Sequence, residues 1–138
     1  MDQKRIIDEF KELVSIEVHS RDERAIADVL KEKLTALGLT VTEDKAGELL
    51  GGNTGNLYAQ LPGSTDGEPV LFSAHMDRVG NHGHIVPLVK EEEGKIVSDG
   101  TSILAGDDIG GVAAIIAMLR EVKEKQIPHG PIEVAFSG

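Results

Sequence analysis

Apolar positions along the chain follow two rhythms. Near the N-terminus Ile6, Phe10, Leu13 and Val14 recur at i, i+4, i+7 and i+8, which predicts an amphipathic helix with one buried face. Ser20-Arg-Asp-Glu23 reads as a capping box that opens a second helix. Its buried stripe is Ile26, Val29, Leu30, Leu34 and Leu37, and Gly38 stands where a glycine ends a helix. The rhythm then shortens to two. Leu39-Thr-Val41-Thr predicts a short strand, Gly47 to Gly55 a loop, and Asn56 to Leu61 a strand stopped by Pro62-Gly63. The mostly apolar run Pro69 to Ala74, ending at His75, predicts a strand buried on both faces. Ile85 to Lys90 and Lys95 to Val97 flank Glu93-Gly94 as a hairpin, and Asp99-Gly100 makes a further turn. Val112, Ile115, Ile116, Leu119 and Val122 mark another helix, and Ile132 to Phe136 a last, central strand. This order predicts an α/β fold, a mixed sheet flanked by helices, with function just past the carboxyl ends of its strands. The 138 residues are one domain's length and show no internal repeat or linker.

Charge narrows the partners. Lys and Arg total 14 against 24 Asp and Glu, a net charge of −10 with no basic run. Such a chain lacks the footprint for phosphate backbones and for anionic bilayers, so neither nucleic acid nor membrane is expected as a partner. There is no cysteine, which removes disulfides, thiolate metal sites and cysteine nucleophiles. A transition-metal site must therefore use His and carboxylates. The charged start MDQKRIIDEF lacks the apolar stretch of a signal peptide, and the longest apolar run, Val112 to Leu119, is too short to span a bilayer. A cytoplasmic location is expected. Almost all of the 16 glycines follow residue 46, which predicts a helical front and a turn-rich body.

Two clusters can carry chemistry. In His75-Met-Asp77, residues i and i+2 of an extended strand share a face, so the carboxylate can hold the imidazole of a metal ligand. The plain alternative is a His–Asp hydrogen bond at a strand end. In Gly106-Asp107-Asp108-Ile-Gly-Gly111, a carboxylate before a helix can bridge divalent ions or simply cap the helix. Two adjacent aspartates exceed what capping needs, and the flanking glycines suggest a tight backbone turn. His82-Gly-His84 could chelate a metal but reads as a solvated loop. His19 and His129 read as surface residues, and Glu91 to Glu93 as a charged hairpin tip. Ser73 lacks a nucleophile-elbow context, and Gly51 to Gly55 lacks the lysine of a phosphate-binding loop.

Taken in order, Ser-Ala-His75-Met-Asp77 and the run Ser98-Asp-Gly-Thr-Ser-Ile-Leu-Ala-Gly-Asp107-Asp108, whose Asp107 lies 32 residues after His75, resemble the M20 metallopeptidases. The likeness is nearest to their peptidase T (tripeptide aminopeptidase) branch. Leu13-Val-Ser-Ile16, Leu37-Gly-Leu, Gly55-Asn-Leu-Tyr-Ala59 and Leu-Pro-Gly63 extend it along nearly the whole chain. The resemblance implies a two-metal catalytic domain with a lid inserted later. It assigns His75 as a ligand of one ion, Asp107 as the carboxylate bridging both, and Asp77 as the catalytic-site acid that orients His75. Asp108 matches a position where the family often has a cis peptide bond. The ions would be zinc first, with cobalt and manganese accepted by the same donors, and the substrate a short peptide cut at its N-terminal bond. A homodimer of the full-length form stays open.

Two positions depart from the family pattern: Ile109 replaces a usual lysine, and Arg78 a usual small residue. Neither is a ligand position, so they bear on substrate preference. The family also places a Glu-Glu pair directly after the strand matching Ile132 to Ser137, then a further carboxylate and a distant histidine. Residues 1–138 are therefore expected to be the N-terminal portion of an incomplete catalytic domain, inactive alone. Alternatives are an M20 amidohydrolase, deacylase or dipeptidase and, from another class, a non-catalytic remnant with a binding role.

Overall fold

Helix α1 (Gln3–Ser15) buries Phe10, Leu13 and Val14, the face that its spacing predicts. Residues 3–18, 22–78 and 85–138 are described in this computed structural model. His19, Ser20, His82 and His84 lie outside them. Helix α2 (Arg24–Ala36) buries Ile26, Ala27, Leu30 and Leu34. It ends in the two reverse hydrogen bonds of a Schellman motif: Leu39 N–H donates to the Leu34 carbonyl at 3.1 Å and Gly38 N–H to that of Thr35 at 3.0 Å. Gly38 has a φ of +93°, a conformation that a Cβ would oppose. The other end differs from expectation. Glu23 occupies the N-cap position with no side-chain cap bond, so it precedes the helix rather than closing a box begun at Ser20.

The main sheet has the order β1-β2-β6-β3. Strands β1 (Thr40–Glu43) and β2 (Leu57–Leu61) are antiparallel, as are β2 and β6 (Ile132–Ser137), whereas β3 (Val70–His75) runs parallel to β6. The sheet is thus mixed, with the last strand central, as its sequence implies. The register aligns Leu57 with Phe136 and Ala59 with Val134 on the face that shares one core with α1, α2 and α4 (Gly106–Glu124). Strands β4 (Pro87–Lys90) and β5 (Lys95–Ser98) form the expected hairpin around Gly94, whose φ is +65°.

Two expectations fail locally. The segment predicted as a loop contains a short helix, α3 (Ala46–Leu50). It forms because Asp44 Oδ1 accepts the N–H groups of Ala46 at 2.9 Å and Asn56 at 2.8 Å, opening the turn and closing its far end. Strand β3 is not buried on both faces. It lies at the sheet edge, and Val70 and Leu71 are 51% and 55% exposed.

A third element is electrostatic. Glu9 on α1 is buried yet paired, at 3.2 Å, with both Lys33 on α2 and Arg120 on α4. This ties the three helices together at one point. An ion buried without such partners would be strongly destabilising.

Candidate metal centre

Strand β3 delivers His75 and Asp77 to the carboxyl end of the sheet, and Met76 N–H extends the pairing with β6 by donating to Ser137 O at 2.7 Å. The start of α4 brings Asp107 to the same place. His75 Nδ1 faces two acceptors, Asp77 Oδ1 at 3.0 Å and the Asp77 carbonyl at 3.2 Å, so Nδ1 carries the proton. The second ring nitrogen, Nε2, stands 3.0 Å from Asp107 Oδ1. The Asp107 carboxylate is otherwise open to solvent, its side chain 91% exposed.

Asp108 points the other way. Its Oδ2 accepts the His75 backbone N–H at 3.2 Å, locking the strand end to the helix start. The Asp107–Asp108 peptide bond is cis, as the resemblance implies for this position. The glycines do not act as expected. None of Gly106, Gly110 and Gly111 has a positive φ; that conformation belongs to Ala105, at +65°. Gly111 instead leaves room, since a Cβ there would come within 2.5 Å of Asp108 Oδ1.

The donor chemistry fits a divalent cation. With Nδ1 protonated, Nε2 presents a lone pair to a carboxylate oxygen only 3.0 Å away, and something positive must lie between them. A proton on Nε2 or a metal ion satisfies that demand, and imidazole nitrogen with carboxylate oxygen is a zinc-type donor pair. Burial alone would lower the His75 pKa, but the Asp107 hydrogen bond and the Asp77 charge outweigh it and raise it. These carboxylates stabilise either cation, so proton and metal compete for Nε2. Among the described residues no group of three or more metal-ligating side chains converges. His75 and Asp107 form a pair only.

Beside Asp77 lies a cleft of about 400 Å³, lined among others by Glu23, Leu50, Thr54, Asn56 and Gly138. Its α3 wall was not expected, and the signal lay in Asp44, Gly55 and Asn56. A Cβ on Gly55 would meet the Asp44 carbonyl at 1.8 Å, and Asn56 Nδ2 donates to Asp44 Oδ2 at 3.0 Å. His129 lies away from these groups, in a turn where its carbonyl accepts the Ser64 N–H at 2.8 Å. Arg78 is 3% exposed and contacts α1, not the cleft.

Two solved structures that superpose on this chain at 38% identity or more are peptidases. The aminopeptidase PepT of Bacillus cereus ATCC 10987 superposes with a TM-score of 0.93 at 42% identity, over 99% of this chain and 36% of that one. A tripeptidase of Staphylococcus aureus subsp. aureus Mu50 superposes with a TM-score of 0.94 at 38% identity, again over 99% and 36%. The protein YqjE of Bacillus subtilis (strain 168) is 38% identical over 133 residues, which are 96% of this chain and 35% of that protein. The fold is therefore that of a peptidase catalytic domain. The chain belongs to Peptidase family M28, whose sequence profile matches residues 56–138. The expected M20 resemblance holds at its peptidase T branch, while the matching profile carries the M28 name. The chain spans about a third of the length of these relatives. No helix among the described residues is long and apolar enough to cross a membrane.

Proposed function

We propose that the chain is the N-terminal portion of the catalytic domain of a cytoplasmic metallo-aminopeptidase that removes N-terminal residues from tripeptides and other short peptides. The observation that carries this is the imidazole of His75 held between two carboxylates, Asp77 on Nδ1 and Asp107 on Nε2, each at 3.0 Å. His75 would be a ligand of one ion and Asp107 the bridge between two, zinc being the ion that these donors suit best. When bound, such a pair polarises the scissile carbonyl and makes water a nucleophile at neutral pH.

The residues of this chain act around that chemistry. Asp77 accepts the Nδ1–H, fixes the tautomer and turns the Nε2 lone pair outward. Asp108 anchors the His75 backbone, so the ring cannot slide along the strand end. Asp107 sets Oδ1 beside His75 Nε2 and keeps the rest of its carboxylate toward solvent. A two-ion centre needs about three protein ligands per ion, and the described residues bring only His75 and Asp107 together, so further ligands and a general base are required and residues 1–138 alone are expected to be inactive.

The test is a substrate panel on the native polypeptide, comparing tripeptides, dipeptides and N-acyl amino acids with and without added zinc. Zinc-dependent release of the N-terminal residue from tripeptides is expected, abolished by His75→Ala. Preferential hydrolysis of N-acyl amino acids would replace this reading with a deacylase. Inertness toward all three substrate classes would remove both.

A further inference from the structure

Beyond His75 in β3, Met76 continues the pairing with β6, and the side chains alternate in burial. Ala74, Met76 and Arg78 are buried, while His75 and Asp77 lie on the opposite side at the site. Arg78 therefore occupies the third place on an otherwise apolar rail. A guanidinium there is costly, and burial pulls its pKa below the ordinary value. No carboxylate meets it among the described residues. Instead Nη1 donates to the Val14 carbonyl and Nη2 to the Leu13 carbonyl, both at 3.1 Å, and Nε has no partner.

Those acceptors lie in the last turn of α1, the negative end of a helix that has no basic residue in that turn. Capping α1 needs no buried residue beside Asp77; a lysine on the helix itself would serve. What the guanidinium adds is a rigid two-pronged grip, which no other cationic side chain reproduces. Met76 is held on one side of Asp77 by its bond to Ser137, and Arg78 is held on the other by α1. Asp77 is thus clamped between two fixed neighbours.

We propose that Arg78 is a positioning residue of the metal centre: its grip on the end of α1 holds Asp77 in the place from which Asp77 fixes the His75 imidazole. This rests on the metal-centre reading above. It moves Arg78 from a departure that bears on substrate preference to a structural support of the ligand.

The experiment compares Arg78→Met, Arg78→Lys and Leu34→Ala in the native polypeptide. Leu34 is fully buried in the core but is no part of the site, so its truncation reports general destabilisation. Zinc affinity is read by chelator competition. In the metal-free protein, the hydrogen-bonded Nδ1–H of His75 is read by ¹⁵N NMR. Arg78→Met is expected to weaken zinc binding by about 10–100-fold, the usual effect of losing support behind a ligand. The Nδ1–H signal should be lost with it. Arg78→Lys, which keeps the charge but not the fork, should behave the same way and decides the matter if Arg78→Met does not fold. Leu34→Ala should lower the unfolding midpoint and leave both readouts unchanged. The proposal is overturned if the Arg78 variants only lower the midpoint, with zinc affinity within about twofold of the parent and the imidazole signal retained. If the parent binds no zinc, the metal-centre reading falls. The Nδ1–H signal then decides alone, its loss in Arg78→Met supporting the clamp and its retention overturning it.

Discussion

At the scale of single residues, two neighbouring glycines in α4 separate the needs of the helix from those of the site. At Gly110 an added Cβ would meet nothing within 4 Å, whereas at Gly111 it would meet Asp108 Oδ1 at 2.5 Å. Gly110→Ala should therefore stabilise the protein by about 0.5–1 kcal/mol, the ordinary helical preference of alanine over glycine. Gly111→Ala gains the same preference but pushes the Asp108 carboxylate off the His75 N–H. Loss of a charge-assisted hydrogen bond outweighs that gain, so a net destabilisation of about 1–2 kcal/mol is expected. Urea unfolding of the two variants checks the contrast, and equal effects would show that Asp108 does not need this space. That His75, Asp77 and Asp107 lie together was legible in the sequence, because strand alternation and motif spacing report on which side chains share a place. Asp108's grip on the strand end and Arg78's contact with α1 were not legible. Backbone acceptors leave no residue pattern behind, and an isolated arginine reads only as a charge.

At the scale of elements, the wall of the cleft depends on Glu43 at the end of β1. Arg24 grips its carboxylate in a two-pronged pair at 2.6 and 2.8 Å, Lys31 adds a bond at 3.3 Å and Gly55 N–H donates at 3.1 Å. The Arg24 hydrogen bonds, opposed by burial and aided by Gly55 and Lys31, lower the Glu43 pKa to about 2. A lowered carboxyl pKa gives stability that is fully present above the unfolded-state value and lost as pH falls through the folded one. For Glu43 the window runs from about 4.5 down to about 2. Glu43→Gln should thus cost about 1–2 kcal/mol at neutral pH, between an exposed ion pair and a charge-assisted hydrogen bond. The gap from the parent should close as unfolding is measured toward pH 2; a gap that stays constant would rule the pair out as its cause.

Elements defined by hydrophobic period alone were legible: α1, α2, α4 and the central β6 sit where their spacing places them. The misreadings have physical reasons. Gly47 and Gly51 look like loop markers, but Gly47 is a close approach to Thr54 and Gly51 ends α3. In β3, an apolar run cannot tell an edge strand from a central one.

At the scale of the whole molecule, the sheet is covered on one face. Leu57, Ala59, Ile132, Val134 and Phe136 share the core with the helices, while the register puts Tyr58, Gln60, Leu71, Ser73 and Glu133 on the reverse. That face is exposed or half-buried, and among the described residues β3 beside it is an open edge. An uncovered edge strand with apolar side chains is a template for pairing with a second copy. Against it stands the net charge of −10, which makes two copies repel at long range. Salt decides between the two. With the Debye length near 30 Å at 0.01 M, repulsion keeps copies apart, but at 1 M it shrinks to about 3 Å and the apolar edge is free to act. Residues 1–138 expressed alone should therefore run as a monomer in dilute buffer and self-associate as salt rises. Leu71→Lys puts a charge on the reverse face at the edge and should suppress association without lowering the unfolding midpoint, since Leu71 is already 55% exposed. Light scattering across a salt series measures both. Association that weakens with salt would make the contact electrostatic rather than apolar, and association that persists in Leu71→Lys would place it away from β3.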